Sequence, residues 1–286
     1  MAMKFKNIVI LFILIATYGF AQNQITPVTL NRTEVHKLTS VYNNVTYPIF
    51  VSLPSSYNSS DKVYPVVYML DAYSSFGIVS QTAKLLAFNN ELPELIIVGI
   101  SSDGGSKEFN YNRARDYTPT FIQPENLPAS SRSMIPASGG AGKFLDFIEK
   151  ELIPFVESNY RINKNDRTLI GHSLGGLFVT FTLFEKPQLF NRYVMISPAL
   201  FWDNNYILKL EKNFSEHEKS LNAIVYTSVG SLEESQFLET WKEFTGSLKQ
   251  HKYSGLKLTA EISESETHYT IIPHLATRGL ISVFKP

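Results

Sequence analysis

The pentapeptide Gly171-His172-Ser173-Leu174-Gly175 joins the apolar run "RTLIG" to the apolar stretch "LGGLFVTFTLFEKP". A hydroxyl on an abrupt strand-to-helix turn is the arrangement of a nucleophile elbow. The turn lifts the serine clear of the sheet, and glycines at 171 and 175 leave room for backbone that a Cβ at either position would strike. A turn with only a structural task needs Gly, Asn or Asp, not this order of five. The helix starting near Leu174 carries N–H groups with no intrahelical acceptor, so the Leu174 N–H is a candidate donor to an oxyanion. Ser173 is the expected nucleophile of an acyl transfer.

A serine hydroxyl needs a base to take its proton, and the base needs an acid to orient it. Of the six histidines, His36 falls in an edge-strand pattern, and His217 and His251 sit in polar, helix-like surroundings that predict solvation. His172 lies inside the elbow, its side chain expected to point away from Ser173. His274 falls in a helical pattern and reads as packed. His268, in "SESETHYTIIPHL" after the last strand-like run, is the expected base, because an elbow serine is followed along the chain by the acid and then by the histidine. Glu233 and Glu234 stand just past the carboxyl end of "NAIVYTSVG". Glu233 is the preferred acid, since an acid after the penultimate strand can reach a histidine after the last. Glu234, Asp203 after the strand "RYVMIS", and a Ser–His dyad without an acid stay open, as does a reading of the two glutamates as solvated carboxylates at a helix N-terminus. A second oxyanion donor is expected from the turn after "YPVVYML", at the N–H of Ala72 or Tyr73.

Such groups need a rigid frame. "TEVHKLTS" and "TYPIFVSLP" alternate like a half-exposed antiparallel pair, whereas "YPVVYML", "ELIIVGIS", "RTLIG", "RYVMIS" and "NAIVYTSVG" are continuous apolar runs suited to strands buried on both faces of a mostly parallel sheet. "LKLTAEIS" makes an eighth. Helical spacing appears in "GKFLDFIEKELIPFVESNY", where Pro154 predicts a kink, in the almost wholly apolar "LGGLFVTFTLFEKP", in "SQFLETWKEFTGSLKQH" and in "IIPHLATRGLISVF". Strands alternating with helices after an antiparallel start predict an α/β architecture, an approximately eight-stranded sheet with helices on both faces. Residues 101–142 show little periodicity and read as one long loop leaving the carboxyl end of a strand, where sites in open α/β sheets lie. No linker or repeat divides the chain.

The chain has 286 residues, 44% of them hydrophobic, and no net charge, which suits one domain with a sizeable core. No basic stripe points to nucleic acid. No H-x-x-x-H, cysteine cluster or carboxylate-rich loop has metal-ligand spacing, and no phosphate-binding glycine motif follows an early strand, so neither metal nor cofactor is expected. At the N-terminus, Lys4 and Lys6 precede the apolar "NIVILFILIAT", and small residues Gly19 and Ala21 follow. That pattern predicts a signal peptide over residues 1–21, too short in its apolar part for the roughly 20 residues of a membrane span, with residues 22–286 left as a single periplasmic or secreted domain. Cleavage removes two lysines and no acid, leaving 24 basic against 26 acidic residues and a net charge of −2. The chain has no cysteine, so neither disulfides nor a lipid on a cysteine at the cleavage site are expected.

The stretches "YPVVYMLDAYSSF", "GHSLGGLFVTFTLFEKPQLFNRYVMISPALFWDN", "SVGSLEES" and "THYTIIPHLATRGL" together resemble an esterase family of α/β hydrolases that includes esterase D-like enzymes and siderophore trilactone esterases. The resemblance runs from about Thr33 to the C-terminus. It implies the α/β-hydrolase fold and assigns the nucleophile to Ser173, the base to His268 and part of the oxyanion hole to the backbone of Ala72 and Tyr73. The family's segment around its acid corresponds to "VGSLEES", which supports Glu233, although Ser231-Leu232 departs from the usual pair there. Phe201-Trp202 resemble the aromatic pair of siderophore and aryl esterases, and "NYNRARDYTPT" resembles a stretch that borders the site. By that resemblance Phe201, Trp202, Arg113 and Arg115 are candidate substrate contacts. Core packing is the alternative for the aromatic pair, and an ion pair with Asp116 for the arginines. The implied activity is hydrolysis of a small-molecule ester by an acyl-enzyme route, the ester being a siderophore trilactone or an acetylated or feruloylated saccharide. Acyl transfer to another alcohol and a silent, ligand-binding use of the scaffold are the competing expectations.

Overall fold

The computed structural model describes residues 27–126, 132 and 137–285; the segment read as a signal peptide lies outside them. All eight strand-like runs form strands: β1 (Thr33–Thr39), β2 (Thr46–Ser52), β3 (Tyr64–Met69), β4 (Ile96–Ile100), β5 (Ile162–His172), β6 (Arg192–Ile196), β7 (Ser220–Gly230) and β8 (Ser254–Ser263). They make one sheet in the order β1-β2-β4-β3-β5-β6-β7-β8. β2 pairs antiparallel with β1 and with β4, and every other pairing is parallel.

The continuous apolar runs are buried on both sides because successive side chains leave opposite faces of a strand. Along β3, Val66, Tyr68 and the following Leu70 enter one core cluster, while Val67 and Met69 enter the other. Helices cover both faces. α1 (Ala72–Phe88) supplies Phe76 and Val79 to the second cluster. α3 (Ala141–Phe147), α4 (Ile153–Asn159), α5 (Leu174–Glu185), α6 (Trp202–His217) and α7 (Ser235–His251) pack on the first. α8 (Arg278–Phe284) returns to the second with Leu280 and Val283. α5 is apolar nearly all round, and from Gly175 to Phe184 every residue is buried.

Three local expectations change. Residues 101–142 are not one loop: α2 (Ser106–Tyr117) forms inside them. It has no apolar stripe. Its order comes from elsewhere: the Glu108 carboxylate accepts the Gly105 N–H at 3.0 Å, and Arg113 and Arg115 engage Asp71 and Asp116. The long helix predicted through Pro154 is α3 and α4 joined by a π turn, Ile148–Leu152, just before the proline that removes a helical hydrogen bond. The C-terminal pattern divides into a 3₁₀ turn, Ile272–Leu275, and α8, with Thr277 in a non-helical conformation between them.

Candidate active site

β5 lies at the middle of the sheet between β3 and β6, and its last residue, His172, leads directly into Ser173. Ser173 takes φ 60° and ψ −120°, a conformation that costs a non-glycine residue about 1–3 kcal/mol unless its surroundings fix it. Here they do. The Ser173 N–H donates to the Ile196 carbonyl at 3.0 Å, and the Ser173 carbonyl accepts from Leu177 at 2.9 Å and Ala199 at 3.1 Å. A Cβ on Gly171 would stand 2.5 Å from the Gly175 carbonyl, so that glycine is required. Gly175 is less constrained than expected, with the Asp71 carboxylate 3.2 Å from its notional Cβ. Gly176 is the tighter position, at 2.9 Å from Pro198 Cα.

The loop after β8 brings His268 to this turn. Ser173 Oγ lies 3.0 Å from His268 Nε2, within donating distance, and His268 Nδ1 donates to Glu233 Oε2 at 2.7 Å. The Glu233 side chain is fully enclosed. Burial alone would raise its pKa, but hydrogen bonds from His268, the Ser197 hydroxyl and the Gly230 N–H outweigh that and hold it below the usual carboxylate range. The Gly230 N–H reaches Oε1 at 2.7 Å. Gly230 must lack a side chain, since a Cβ there would overlap the Glu266 carbonyl oxygen. That close approach lets the acid-bearing loop and the histidine-bearing loop touch. The other candidates are elsewhere: Glu234 is exposed and accepts from Gln236 at 2.8 Å, and Asp203 sits in a left-handed turn; neither bonds to His268 among the described residues. His274 lies 3.3 Å from Ser263 Oγ.

Leu174 is the first residue of α5, and Ala72 and Tyr73 open α1, so all three N–H groups belong to first helical turns that have no intrahelical acceptor. The turn before α1 is fixed by Asp71, whose φ is 56°. Arg113 grips its carboxylate through Nε to Oδ1 at 2.7 Å and Nη2 to Oδ2 at 3.0 Å, and the Asp71 N–H donates to the Tyr117 hydroxyl at 3.3 Å. Tyr73 turns its exposed ring to Phe109, with centroids 5.3 Å apart.

The proposed substrate contacts separate. Arg113 lines a cleft of about 230 Å³ with Ser173, His268, Phe109, Tyr269 and Ile272. Arg115 is not in that cleft; it holds the buried Asp116 through two bonds, at 2.7 and 2.6 Å, and Asp116 also accepts the Tyr47 hydroxyl. Trp202 is only 5% exposed, and its indole N–H donates to Thr120 Oγ1 at 3.1 Å, a packed position rather than a cleft wall. Phe201 meets Phe237 edge-on at 4.8 Å, and the Phe237 ring lies 4.6 Å from His268, so Phe201 stands at one remove from that histidine. A larger hollow, about 320 Å³ beside Phe184 and Phe214, is lined by Glu218 and Ser220 and by no histidine. Among the described residues no three His, Asp or Glu side chains gather as metal ligands, and no helix is long and apolar enough to cross a membrane.

Two more residues touch this arrangement, one not expected from the sequence and one expected to face elsewhere. Ser197, at φ 45°, donates to Glu233. His172 does not point away from the site: it lines the same cleft and packs against His268. His251, expected to be solvated, is half-buried and donates at 2.7 Å to the buried Glu211.

The sequence from 40 to 264 matches the model of the family described as "Putative esterase". The chain belongs to this esterase family. It is 34% identical over 268 residues to the ferri-bacillibactin esterase of Bacillus subtilis, covering 90% of this chain and 91% of that one. It is 30% identical to the siderophore enterobactin esterase of Emericella nidulans, over 66% of each chain. The crystal structure of an IroE-like serine hydrolase from Shewanella oneidensis superposes with a TM-score of 0.78 at 29% identity, covering 88% of this chain and 80% of that one. The fold is that of the α/β hydrolases, and the protein is a serine carboxylic-ester hydrolase.

Proposed function

We propose that Ser173, His268 and Glu233 are the nucleophile, base and orienting acid of this hydrolase and that its ester substrate is a siderophore. The observation that carries the first part is the unbroken series of two hydrogen bonds, Ser173 Oγ to His268 Nε2 at 3.0 Å and His268 Nδ1 to Glu233 Oε2 at 2.7 Å. His268 Nε2 takes the hydroxyl proton as Oγ attacks the ester carbonyl. The resulting oxyanion turns to the Leu174 N–H and to the N–H of Ala72 or Tyr73. The imidazolium, facing an ionised Glu233, gives its proton to the departing alkoxide, leaving an acyl group on Ser173. His268 then takes a proton from water as the water oxygen attacks the acyl carbon, and gives that proton to Ser173 Oγ as the carboxylic acid leaves.

The siderophore part rests on the two relatives named for siderophore esters, and on a cleft that sets the aromatic rings of Phe109 and Tyr269 beside Arg113. We also propose export, with residues 1–21 removed and residues 22–286 acting as one domain outside the cytoplasm, on the strength of the basic, apolar and small-residue order at the N-terminus. The deciding assay offers purified residues 22–286 a ferric or iron-free siderophore trilactone, an acetylated xylooligosaccharide and p-nitrophenyl acetate. Preference for the trilactone, measured as kcat/KM, supports the reading. Preference for the saccharide overturns the substrate, and an active Ser173→Ala variant overturns the triad.

A further inference from the structure

His172 is the residue between the elbow's glycine and its serine, and the hydrolytic steps above give it no task. Its surroundings do. The His172 Nε2 lies 2.7 Å from the main-chain carbonyl oxygen of His268. A carbonyl can only accept, so His172 must carry its proton on Nε2 and donate. Its ring lies 4.5 Å from the His268 ring, centroid to centroid, tilted by 44°. Its own carbonyl oxygen faces Arg113 Nη2 at 3.4 Å, the arginine that clasps Asp71 at the turn preceding α1. One residue therefore touches the backbone of the base, the ring of the base and the arginine bracing the oxyanion turn.

We propose that His172 is a positioning residue: as a neutral Nε2–H imidazole it anchors the backbone of His268 and fixes the ring plane that carries Nε2 to Ser173. This rests on the reading of His268 as the base. The loop holding His268 is tied to the Glu233 turn on the side before the histidine, where the Glu266 carbonyl accepts the Leu232 N–H at 3.0 Å and the Ser265 N–H reaches Ser231 Oγ at 2.9 Å. Nearer the histidine, Thr267 and Thr270 bond to each other and Tyr269 is 76% exposed. The Glu233 bond fixes Nδ1 and the Phe237 ring packs 4.6 Å from the imidazole, but both act on the side chain. The His172 donor supplies a fixed point on the backbone. The charged and titratable groups facing His172 are His268 and Arg113, with Asp71 beyond the arginine. Burial first, then the neighbouring His268 and the Arg113 guanidinium, holds the His172 pKa well below that of a free imidazole. A protonated ring there would repel the imidazolium that His268 becomes during turnover, so neutrality is part of the task.

The test uses residues 22–286 and two variants, His172→Gln, whose amide Nε2 keeps a donor at the same reach, and His172→Phe, which keeps a ring and loses the donor. With p-nitrophenyl acetate, His172→Phe is expected to lose about 10- to 100-fold in kcat with KM changed less than about threefold, the scale of a misoriented catalytic group. His172→Gln is expected to recover most of that loss. Equal activity of folded His172→Phe and wild type would overturn the proposal, and so would equal losses in both variants. The wild-type protein supplies a check that needs no variant to fold. In ¹⁵N spectra of histidine-labelled enzyme, His172 is expected to stay neutral with Nε2 protonated from pH 8 to pH 5. An Nδ1–H tautomer, or protonation near pH 6.5, sinks it. Ser173→Ala separates the two levels of inference: if that variant stays active the triad reading fails, whereas a dead Ser173→Ala beside a fully active His172→Phe removes only the role of His172.

Discussion

Glu233 is the residue whose environment is most specialised. Three donors converge on an enclosed carboxylate that would otherwise be raised by burial, and the balance leaves it easier to ionise than a free glutamate. Two outcomes are expected from that balance. Glu233→Gln keeps the shape but removes the charge that favours the imidazolium. Its kcat should fall by roughly 10²- to 10⁴-fold, with KM little changed, in steady-state hydrolysis of p-nitrophenyl acetate. The folded carboxyl titrates below its unfolded value, so its stabilisation is present above the ordinary glutamate range and is lost as pH falls through the depressed folded pKa. Urea unfolding of the wild type should weaken as pH falls below the ordinary glutamate range, and Glu233→Gln should show a smaller weakening over the same interval. A parallel pH dependence in the two proteins would assign the acid sensitivity to other groups. Ser173, His268 and Glu233 were legible in the sequence because each follows a strand at the spacing an elbow hydrolase uses. Ser197, the Asp71–Arg113 pair and the inward face of His172 were not. Their partners lie 36, 42 and 96 residues away, and no local pattern encodes a contact at that range.

At the scale of elements, the eight strands were legible because their apolar runs are set by burial on both faces, a constraint local enough to read. α2 was not, since it is held by ion pairs and not by a stripe of apolar residues. The division of the C-terminal helix was missed because the periodicity from Ile271 to Phe284 crosses Pro273 and Thr277 unchanged, while the backbone at Thr277 leaves the helical region. Glycines show how the elements meet. Gly230 lets the turn after β7 press against the loop that carries His268, whereas Gly246, inside α7, has nothing within 4 Å of where a Cβ would stand. Gly230→Ala is expected to push Glu266 away and destabilise by about 1–3 kcal/mol, as overpacking does. It should also reduce kcat, because Glu233 and His268, the proposed acid and base, ride on the two displaced loops. Gly246→Ala is expected to stabilise by about 0.5–1 kcal/mol through helix propensity and leave kcat unchanged. Urea midpoints and kcat for the two alanine variants read both effects. A Gly230→Ala enzyme as active and stable as wild type would show that the two loops can separate without loss.

For the whole molecule, the parallel strands divide labour between their two ends. Ser173, Glu233 and His268 all follow the carboxyl ends of β5, β7 and β8, where crossover turns open α5 and α7 or lead toward the 3₁₀ turn before α8. The amino end of β8 holds another buried carboxylate, remote from Ser173. Glu211, 1% exposed on α6, accepts from the Ser247 hydroxyl at 2.6 Å, from His251 Nδ1 at 2.7 Å and from the Tyr253 hydroxyl at 2.7 Å. This cluster ties α6 to the end of α7 and to the residue preceding β8. It looks like a serine, histidine and glutamate set, yet both the serine and the histidine bond the carboxylate directly, and Ser247 and His251 are 3.5 Å apart, so no hydroxyl is presented for attack. Its task is structural. His251→Phe removes one donor from a buried carboxylate and is expected to cost about 1–3 kcal/mol of stability. Because the cluster lies at the opposite end of the sheet from Ser173, kcat and KM for p-nitrophenyl acetate should stay at wild-type values. Loss of stability with intact kinetics would establish that the two ends are energetically separate. A fall in kcat that tracks the fall in stability would show instead that α7 transmits strain from its C-terminus to the Glu233 turn at its N-terminus.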